Sequence, residues 1–329
     1  MSKDIKVGIL GVGKYLPEKV MTNADLEKMV DTSDEWIITR TGIKERRIAS
    51  KEESSSDMAV KAAKSALDNA GLKPEDIDLI VVATITPDMF FPSTACQLQH
   101  KLGIDNVPAF DISVACSGYI YGLAIADQFI KTGMYKHALV VAAEKLSSVT
   151  DWEDRSTCVL FGDGAGAAVL GVVKEGGILG IHLGADGSKG DLLQLPAGGS
   201  RMPASRKTVE DRLHTIKMEG NVLFKHAVKI MAEAALAVTE PLGLKGDDID
   251  IIIPHQANIR ILNALAKRMG VDPEEKVYLN IEKYGNMSAA SSAIALTEAV
   301  EEGRIKRGDM ILMDAFGGGL TWGALVIKW

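Results

Sequence analysis

One cysteine lies where a helix is predicted to begin and has the setting of a nucleophile. Cys116 follows an extended run at residues 111–114 and precedes an apolar helix predicted over residues 119–130, which Gly133 ends. The unpaired N–H groups and the dipole of a helix N-terminus favour thiolate over thiol, and thiolate is the form that attacks a thioester. We therefore expect Cys116 to be reactive. The alternative is a small buried hydrophobic side chain, as many free cysteines are.

Two further polar residues could work with that cysteine. The offset of 170 residues between Gly133 and Gly303, applied to Cys116, leads to Asn286, just before a helix predicted over residues 289–302. His255 follows a buried strand, at the strand end where α/β proteins bind ligands. We expect Asn286 to be a fixed donor and His255 a base or donor. Without the repeat, Asn286 would be an ordinary helix cap or turn residue.

The elements that position these residues occur twice along the chain. Residues 71–80 and 243–252 share seven of ten positions, and each segment links a helical pattern to a β-branched run. Two further matches follow in the same order, pairing residues 133–142 with 303–314 and residues 161–172 with 316–327. The repeats predict two similar α/β halves; the alternative is chance recurrence of a common α/β pattern.

The strands are continuous apolar runs, which indicates sheets covered by helices on both faces. We expect an α/β protein of five layers, αβαβα, with one half over residues 1–180 holding the cysteine and the other over residues 181–329 holding the histidine and asparagine. The irregular stretch at residues 184–212 is expected to be an active-site or dimer loop.

Composition excludes several classes of protein. The 329 residues are 47 % hydrophobic and 25 % charged, as in ordinary globular proteins, and the net charge of −7 argues against nucleic-acid binding. Cys96, Cys116 and Cys158 form no C-x-x-C pair, so we expect neither zinc nor a disulfide framework, and no metal. No apolar run reaches the roughly 18 residues of a membrane span, and residues 1–10 lack the features of an export signal. A cytoplasmic location is expected.

Six motifs together resemble the β-ketoacyl-acyl carrier protein synthase III family of the thiolase superfamily, from Trp36 to the C-terminus. They are DEWIITRTGI at residues 34–43, ACSG at 115–118, FGDGAGA at 161–167, HQAN at 255–258, YGN at 284–286 and FGGG at 316–319. The resemblance implies a duplicated thiolase-like fold and a triad of Cys116, His255 and Asn286. Other branches of the superfamily have a second His or Cys at the position of Asn286. Met287 departs from the family, which often has Thr there.

The resemblance also implies a reaction. Cys116 would take an acyl group from an acyl-CoA primer, acetyl-CoA or a short branched acyl-CoA, with the oxyanion held by backbone N–H groups of Cys116 and Gly318. Decarboxylative Claisen condensation with malonyl-acyl carrier protein would then give 3-oxoacyl-acyl carrier protein, CoA and CO2, the step that initiates fatty acid biosynthesis. Coenzyme A is a substrate in this scheme, and no cofactor is needed.

Binding residues are implied in the same way. The simpler alternatives are a surface stacking pair or unrelated packing for Trp36 and Arg155, a solvated helix face for the basic residues, and a core loop aromatic for Phe91. The binding residues for CoA are Trp36 and Arg155, which would sandwich the adenine, and Arg40, Gly220 and Asn258 along the pantetheine route. Those for carrier-protein docking are Lys225, Arg260, Lys267 and Arg268, the last three forming one basic stripe on a helix. Phe91 matches a residue that reaches into the acyl pocket of the neighbouring subunit, which implies a homodimer.

Three other functions compete with this one. A related condensing enzyme that makes a polyketide or quinolone precursor would have nearly the same residues. A non-catalytic acyl-CoA-binding homologue is disfavoured because Cys116, His255 and Asn286 are all present. Papain-like hydrolysis uses the same residue types, but the duplicated α/β pattern argues against it.

Overall fold

The computed structural model describes residues 5–329. The strands are β1 (Val7–Tyr15), β2 (Lys19–Thr22), β3 (Glu45–Ile48), β4 (Leu79–Ala83), β5 (Ala109–Ile112), β6 (Ala138–Lys145), β7 (Asp163–Val172), β8 (Gly177–Ala185), β9 (Leu193–Gln194), β10 (Lys217–Met218), β11 (Ile251–Pro254), β12 (Met310–Gly317) and β13 (Thr321–Lys328). The helices are α1 (Asn23–Leu26), α2 (Asp34–Thr41), α3 (Ser55–Ala70), α4 (Thr94–Leu102), α5 (Gly118–Lys131), α6 (Arg155–Cys158), α7 (Arg206–Glu210), α8 (Gly220–Thr239), α9 (Ile259–Met269), α10 (Pro273–Lys276), α11 (Ile281–Tyr284) and α12 (Ala289–Glu301).

Two sheets form the body, and their strand orders correspond. The first sheet runs β1-β7-β6-β4-β5 and the second runs β8-β13-β12-β11. In each, two neighbouring strands are parallel, β4 with β6 and β11 with β12, and the next two pairs are antiparallel. The second sheet has only an isolated bridge, Ile252 to Val277, where the first has its fifth strand. The matching orders are what a duplicated α/β unit predicts.

Helices cover both faces of both sheets. The helices α3 and α4 pack on the outer face of the first sheet, and α8 and α9 pack on the outer face of the second. Between the sheets lie α5 and α12, within the largest apolar cluster. The five layers αβαβα are therefore confirmed.

The two central helices begin against each other. A Cβ atom added at Gly118, the first residue of α5, would lie 3.3 Å from Cβ of Ala289, the first residue of α12. The helix starts are 171 residues apart, so a strict repeat pairs Cys116 with Met287. Asn286 lies one residue earlier, because the 170-residue offset comes from Gly133 and Gly303, which follow the two helices, and α12 is one residue shorter than α5.

The predicted helices and strands are present, with ends shifted by a few residues. The division after residue 180 stays a proposal, and the pairing of β8 with β13 favours a second half that begins at Gly177. The stretch 184–212 holds two short helical segments and the small strand β9. The expectation about an export signal concerns residues 1–10, of which the first four lie outside the described residues.

Over residues 5–329 no helix is both long and apolar enough to cross a membrane. The same residues contain no group of three His, Cys, Asp or Glu side chains arranged to hold a metal ion.

Candidate active site

Cys116 lies in a tight turn directly before α5. The turn spans Ala115–Ser117, and Ala115 has a φ of 46°, which is uncommon for a residue with a side chain. The thiol is buried, with 8 % of the residue exposed. Burial raises the pKa of Cys116 to about 12; the Ser288 hydroxyl lowers this pKa and the charge of Glu144 raises it. Burial therefore acts against the preference for thiolate that the helix N-terminus alone predicts, and the reactivity of Cys116 stays a prediction.

The end of β12 passes close to the backbone of Cys116. A Cβ atom on Gly317 would lie 2.6 Å from the Cys116 nitrogen, so only glycine fits there. Two hydrogen bonds hold the following hairpin in place: the Ser117 hydroxyl donates to the Thr321 carbonyl at 3.1 Å, and the Thr321 hydroxyl donates to the Val114 carbonyl at 3.0 Å. Backbone N–H groups of the FGGG motif are thereby brought beside the nucleophile.

His255 is fixed at the end of β11. Its N–H donates to the Asp314 carbonyl on β12 at 2.7 Å, three residues before Gly317. Burial lowers the pKa of His255 to about 3, so the imidazole is neutral at physiological pH. Within residues 5–329 its Nδ1 atom has no hydrogen-bond partner. A neutral ring can donate one hydrogen bond to a substrate oxygen.

Gln256 locks the backbone around the histidine. Its side-chain oxygen accepts from the N–H groups of Asn280 and Ile281 at 3.0 and 3.2 Å, and its amide donates to the carbonyls of Pro254 and Tyr278 at 3.0 and 3.1 Å. This residue belongs to the HQAN motif, yet its positioning role was not expected from the sequence. All four contacts are to backbone atoms, which sequence patterns do not reveal.

Asn286 is held by the segment that precedes β7. Its N–H donates to the Leu160 carbonyl at 2.8 Å, and its carbonyl accepts from Gly162 at 3.0 Å. The side-chain oxygen accepts from the Ser288 N–H at 2.8 Å, which leaves the amide NH2 to donate. Gly285 has a φ of 66°, and a Cβ there would lie 2.7 Å from the Leu160 oxygen. The YGN and FGDGAGA motifs thus meet at this residue.

A buried carboxylate braces the turn that carries Asn286. Glu298 on α12 accepts from the Tyr284 hydroxyl at 2.6 Å and from the Asn280 amide at 2.9 Å, and Lys14 lies 3.3 Å away. These bonds tie α11 and the loop before it to α12. Sequence reasoning missed Glu298 because its partners lie far away along the chain or on the opposite side of the turn.

The residues expected to bind CoA form a connected group at the surface, with one exception. The Arg155 guanidinium lies 4.8 Å from the centroid of the Trp36 ring, and that of Arg40 lies 6.0 Å away. The Asn258 amide donates to the Arg40 carbonyl at 2.9 Å. Gly220 begins α8 and is exposed, and no contact joins it directly to the other four.

The basic residues expected to dock a carrier protein are all exposed. Among the described residues, none of the four has an acidic partner within ion-pair distance, and the Arg260 guanidinium lies 5.2 Å from the centroid of the Phe224 ring, next to Lys225. The other two, Lys267 and Arg268, lie in the last turn of α9. Phe91 is 84 % exposed.

Known proteins resemble this chain in sequence and in fold. Residues 110–187 match the family model described as 3-Oxoacyl-[acyl-carrier-protein (ACP)] synthase III, and residues 240–329 match its C-terminal model. A relative named beta-ketoacyl-[acyl-carrier-protein] synthase III, from Caldanaerobacter subterraneus subsp. tengcongensis, is 63 % identical over 100 % of this chain and 99 % of its own. The chain belongs to the 3-oxoacyl-[acyl-carrier-protein] synthase III family. It is therefore an acyl-transferring condensing enzyme.

Solved structures agree with the family assignment. The crystal structure of a synthase III from Aquifex aeolicus has a TM-score of 0.91 at 54 % identity, over 98 % of this chain and 100 % of that chain. The priming β-ketosynthase of the R1128 polyketide pathway has a TM-score of 0.92 at 38 % identity, covering 99 % of this chain and 97 % of its own. Both are proteins to which this synthase III family member is similar.

Proposed function

We propose that Cys116, His255 and Asn286 carry the reaction of this condensing enzyme, with the N–H groups of Cys116 and Gly318 as oxyanion donors. The enzyme initiates fatty acid biosynthesis by joining an acyl group from acyl-CoA to malonyl-acyl carrier protein. The single observation that supports this assignment best is the approach of β12 to Cys116. The FGGG backbone lies beside this buried cysteine, which directly precedes the central helix α5.

In the first half-reaction the Cys116 sulfur attacks the thioester carbonyl of acyl-CoA. The carbonyl oxygen becomes an oxyanion, and two backbone N–H groups in a buried site stabilise it. The tetrahedral intermediate collapses with loss of the CoA sulfur, which leaves acyl-Cys116. CoA approaches along the surface group of Trp36, Arg155, Arg40 and Asn258. Gly220, which does not contact that group, also lies along the route.

In the second half-reaction malonyl-acyl carrier protein loses CO2. Negative charge then develops on the thioester oxygen, and donors from neutral His255 and the Asn286 amide stabilise the enolate. A neutral histidine suits this role because it donates without needing a proton from solvent. The resulting carbanion attacks acyl-Cys116 and gives the 3-oxoacyl product. These steps exchange thioesters and release CO2, so we propose that no cofactor takes part.

The acidic carrier protein docks on the surface formed by Lys225, Arg260, Lys267 and Arg268, whose charges are unpaired within residues 5–329. A second copy of the chain covers the exposed loop that holds Phe91, which then enters the partner's acyl pocket. The reaction needs a reduced Cys116, and the three cysteines are free, so the proposed location is the cytoplasm.

The test is to incubate the purified protein with a panel of acyl-CoAs and measure intact mass, with Cys116→Ser as the control. We expect one short acyl group to add to the wild type only, and malonyl-acyl carrier protein then to release it as a 3-oxoacyl product. The 38 % identity to a polyketide-priming synthase makes a polyketide precursor the second candidate. Product formation with a dedicated polyketide carrier protein, and none with the fatty acid carrier, would support it.

A further inference from the structure

A buried carboxylate lies beside the nucleophile and has no part in the reaction described so far. Glu144, near the end of β6, is fully buried. It accepts from the Thr86 hydroxyl at 2.7 Å, from the Ile85 N–H at 3.1 Å and from the Thr84 hydroxyl at 3.3 Å. Among residues 5–329 no cation forms an ion pair with it: the ammonium of Lys145, on the opposite face of the strand, donates to the Ser50 and Glu53 carbonyls.

Ser288 lies between this carboxylate and the thiol. It is buried and has a φ of 49° and a ψ of −128°, an uncommon conformation for a residue with a side chain. Two distances place it near both groups: a Cβ atom on Gly118, two residues after Cys116, would lie 3.3 Å from Cβ of Ala289, which follows Ser288, and 2.8 Å from Cβ of Ala83, which precedes Thr84. The Ser288 hydroxyl also lowers the pKa of Cys116 and of Glu144. The hydroxyl is buried and has no hydrogen-bond partner within residues 5–329. Catalytic contacts are commonly loose before substrate binds.

The resting thiol needs a group that accepts its proton. Burial raises the pKa of Glu144 to about 7, whereas that of His255 is lowered to about 3. The charge of Glu144 raises the pKa of Cys116, whereas the carboxylate of Asp163, the first residue of β7, accepts from Ala49 and Ser147. Glu144 is therefore the better-matched acceptor near physiological pH.

We infer that Glu144 accepts the Cys116 proton through the Ser288 hydroxyl and holds it while the enzyme is acylated. This inference rests on the proposed function. As sulfur attacks the acyl carbon, the S–H proton moves to the Ser288 oxygen and the Ser288 proton moves to the Glu144 carboxylate. The C–S bond to CoA breaks, and the departing CoA thiolate takes a proton from solvent. After condensation releases Cys116 as thiolate, the same path returns the stored proton.

In this scheme Ser288 takes the proton directly from the reacting sulfur and is catalytic, whereas Glu144 acts through it and is a positioning residue. A purely electrostatic role for Glu144 makes the opposite prediction. Its negative charge raises the pKa of Cys116, so its removal alone would make the thiol more reactive. The sign of the change thus separates the two roles.

The experiment measures the rate of Cys116 alkylation by iodoacetamide from pH 5 to 9, with site occupancy read by peptide mass. In the wild type we expect the rate to rise through pH 7. In Glu144→Gln the rise near pH 7 should disappear and the rate at pH 8 should fall at least about tenfold, with partial rescue in Glu144→Asp. Because alkylation needs no acyl-CoA, failure of the acyl-transfer proposal would leave this result unaffected.

Ser288→Ala provides the second arm, since it removes the hydroxyl and keeps the carboxylate and its three donors. We expect the same loss as in Glu144→Gln, and no further loss in the double variant. Thermal unfolding identifies any variant that does not fold, and Ser288→Ala decides the question if Glu144→Gln fails. Alkylation at or above the wild-type rate in a folded variant would overturn the inference.

Discussion

Replacement of Gly317 by alanine tests whether the backbone of Cys116 is an oxyanion donor. The added methyl carbon would lie 2.6 Å from the Cys116 nitrogen and 3.2 Å from its Cβ, whereas ordinary contacts begin near 3.4 Å. The carbon is about 0.8 Å too close to the nitrogen. Because the contact atoms are backbone, the turn at Ala115–Ser117 must shift or its N–H must turn away from the substrate.

Loss of one oxyanion donor typically costs about 3 to 4 kcal/mol of transition-state stabilisation, or roughly 10²–10³ in rate. We expect Gly317→Ala to slow acyl-enzyme formation by that factor, measured by quenched-flow mixing with acyl-CoA and intact mass. Affinity for CoA should change little, because Trp36 and Arg155 lie on the surface. Overpacking should also lower the free energy of unfolding by about 1 to 3 kcal/mol, so rates are normalised to the folded fraction.

Gly187→Ala is the matched control, because a Cβ there meets nothing within 4 Å. It should acylate at the wild-type rate. If folded Gly317→Ala acylates within about twofold of wild type, the Cys116 N–H is not an oxyanion donor and the reasoning fails.

Three further predictions follow from the site. Glu298→Gln should slow condensation about tenfold by single-turnover assay while acylation stays near wild type, since the bonds that brace Asn286 weaken; exposed Glu274→Gln is the control, and equal loss in both half-reactions would contradict it. Arg155→Ala should weaken CoA binding about three- to tenfold, measured by calorimetry. An unchanged affinity would exclude stacking of the adenine between Arg155 and Trp36. The rate of CO2 release from the acyl-loaded enzyme should not fall as the pH is lowered through 6.5, because the pKa of His255 is lowered to about 3 and its ring stays neutral there. A fall in the rate near pH 6.5 would refute a neutral His255 donor.

The sequence alone was enough to predict the five layers and to propose Cys116, His255 and Asn286 as the reacting side chains. Continuous apolar runs indicate strands that are buried on both faces, because this pattern is a local property of each strand. The repeated segments indicate two equivalent sheets. Cys116, His255 and Asn286 each stand at an element end that can be read from the chain. Their reacting roles remain predictions that the proposed experiments test.

Only the tertiary structure decided the protonation of the site and the residues that brace it. A helix start favours thiolate, but burial reverses this for Cys116, and burial depends on what other segments cover. The roles of Gln256 and Glu298 depend on partners brought together by packing of separate helices and strands. Glu144 and Cys116 become neighbours across Ser288 only where β6 and the starts of α5 and α12 meet, and no local pattern encodes such a meeting of three segments.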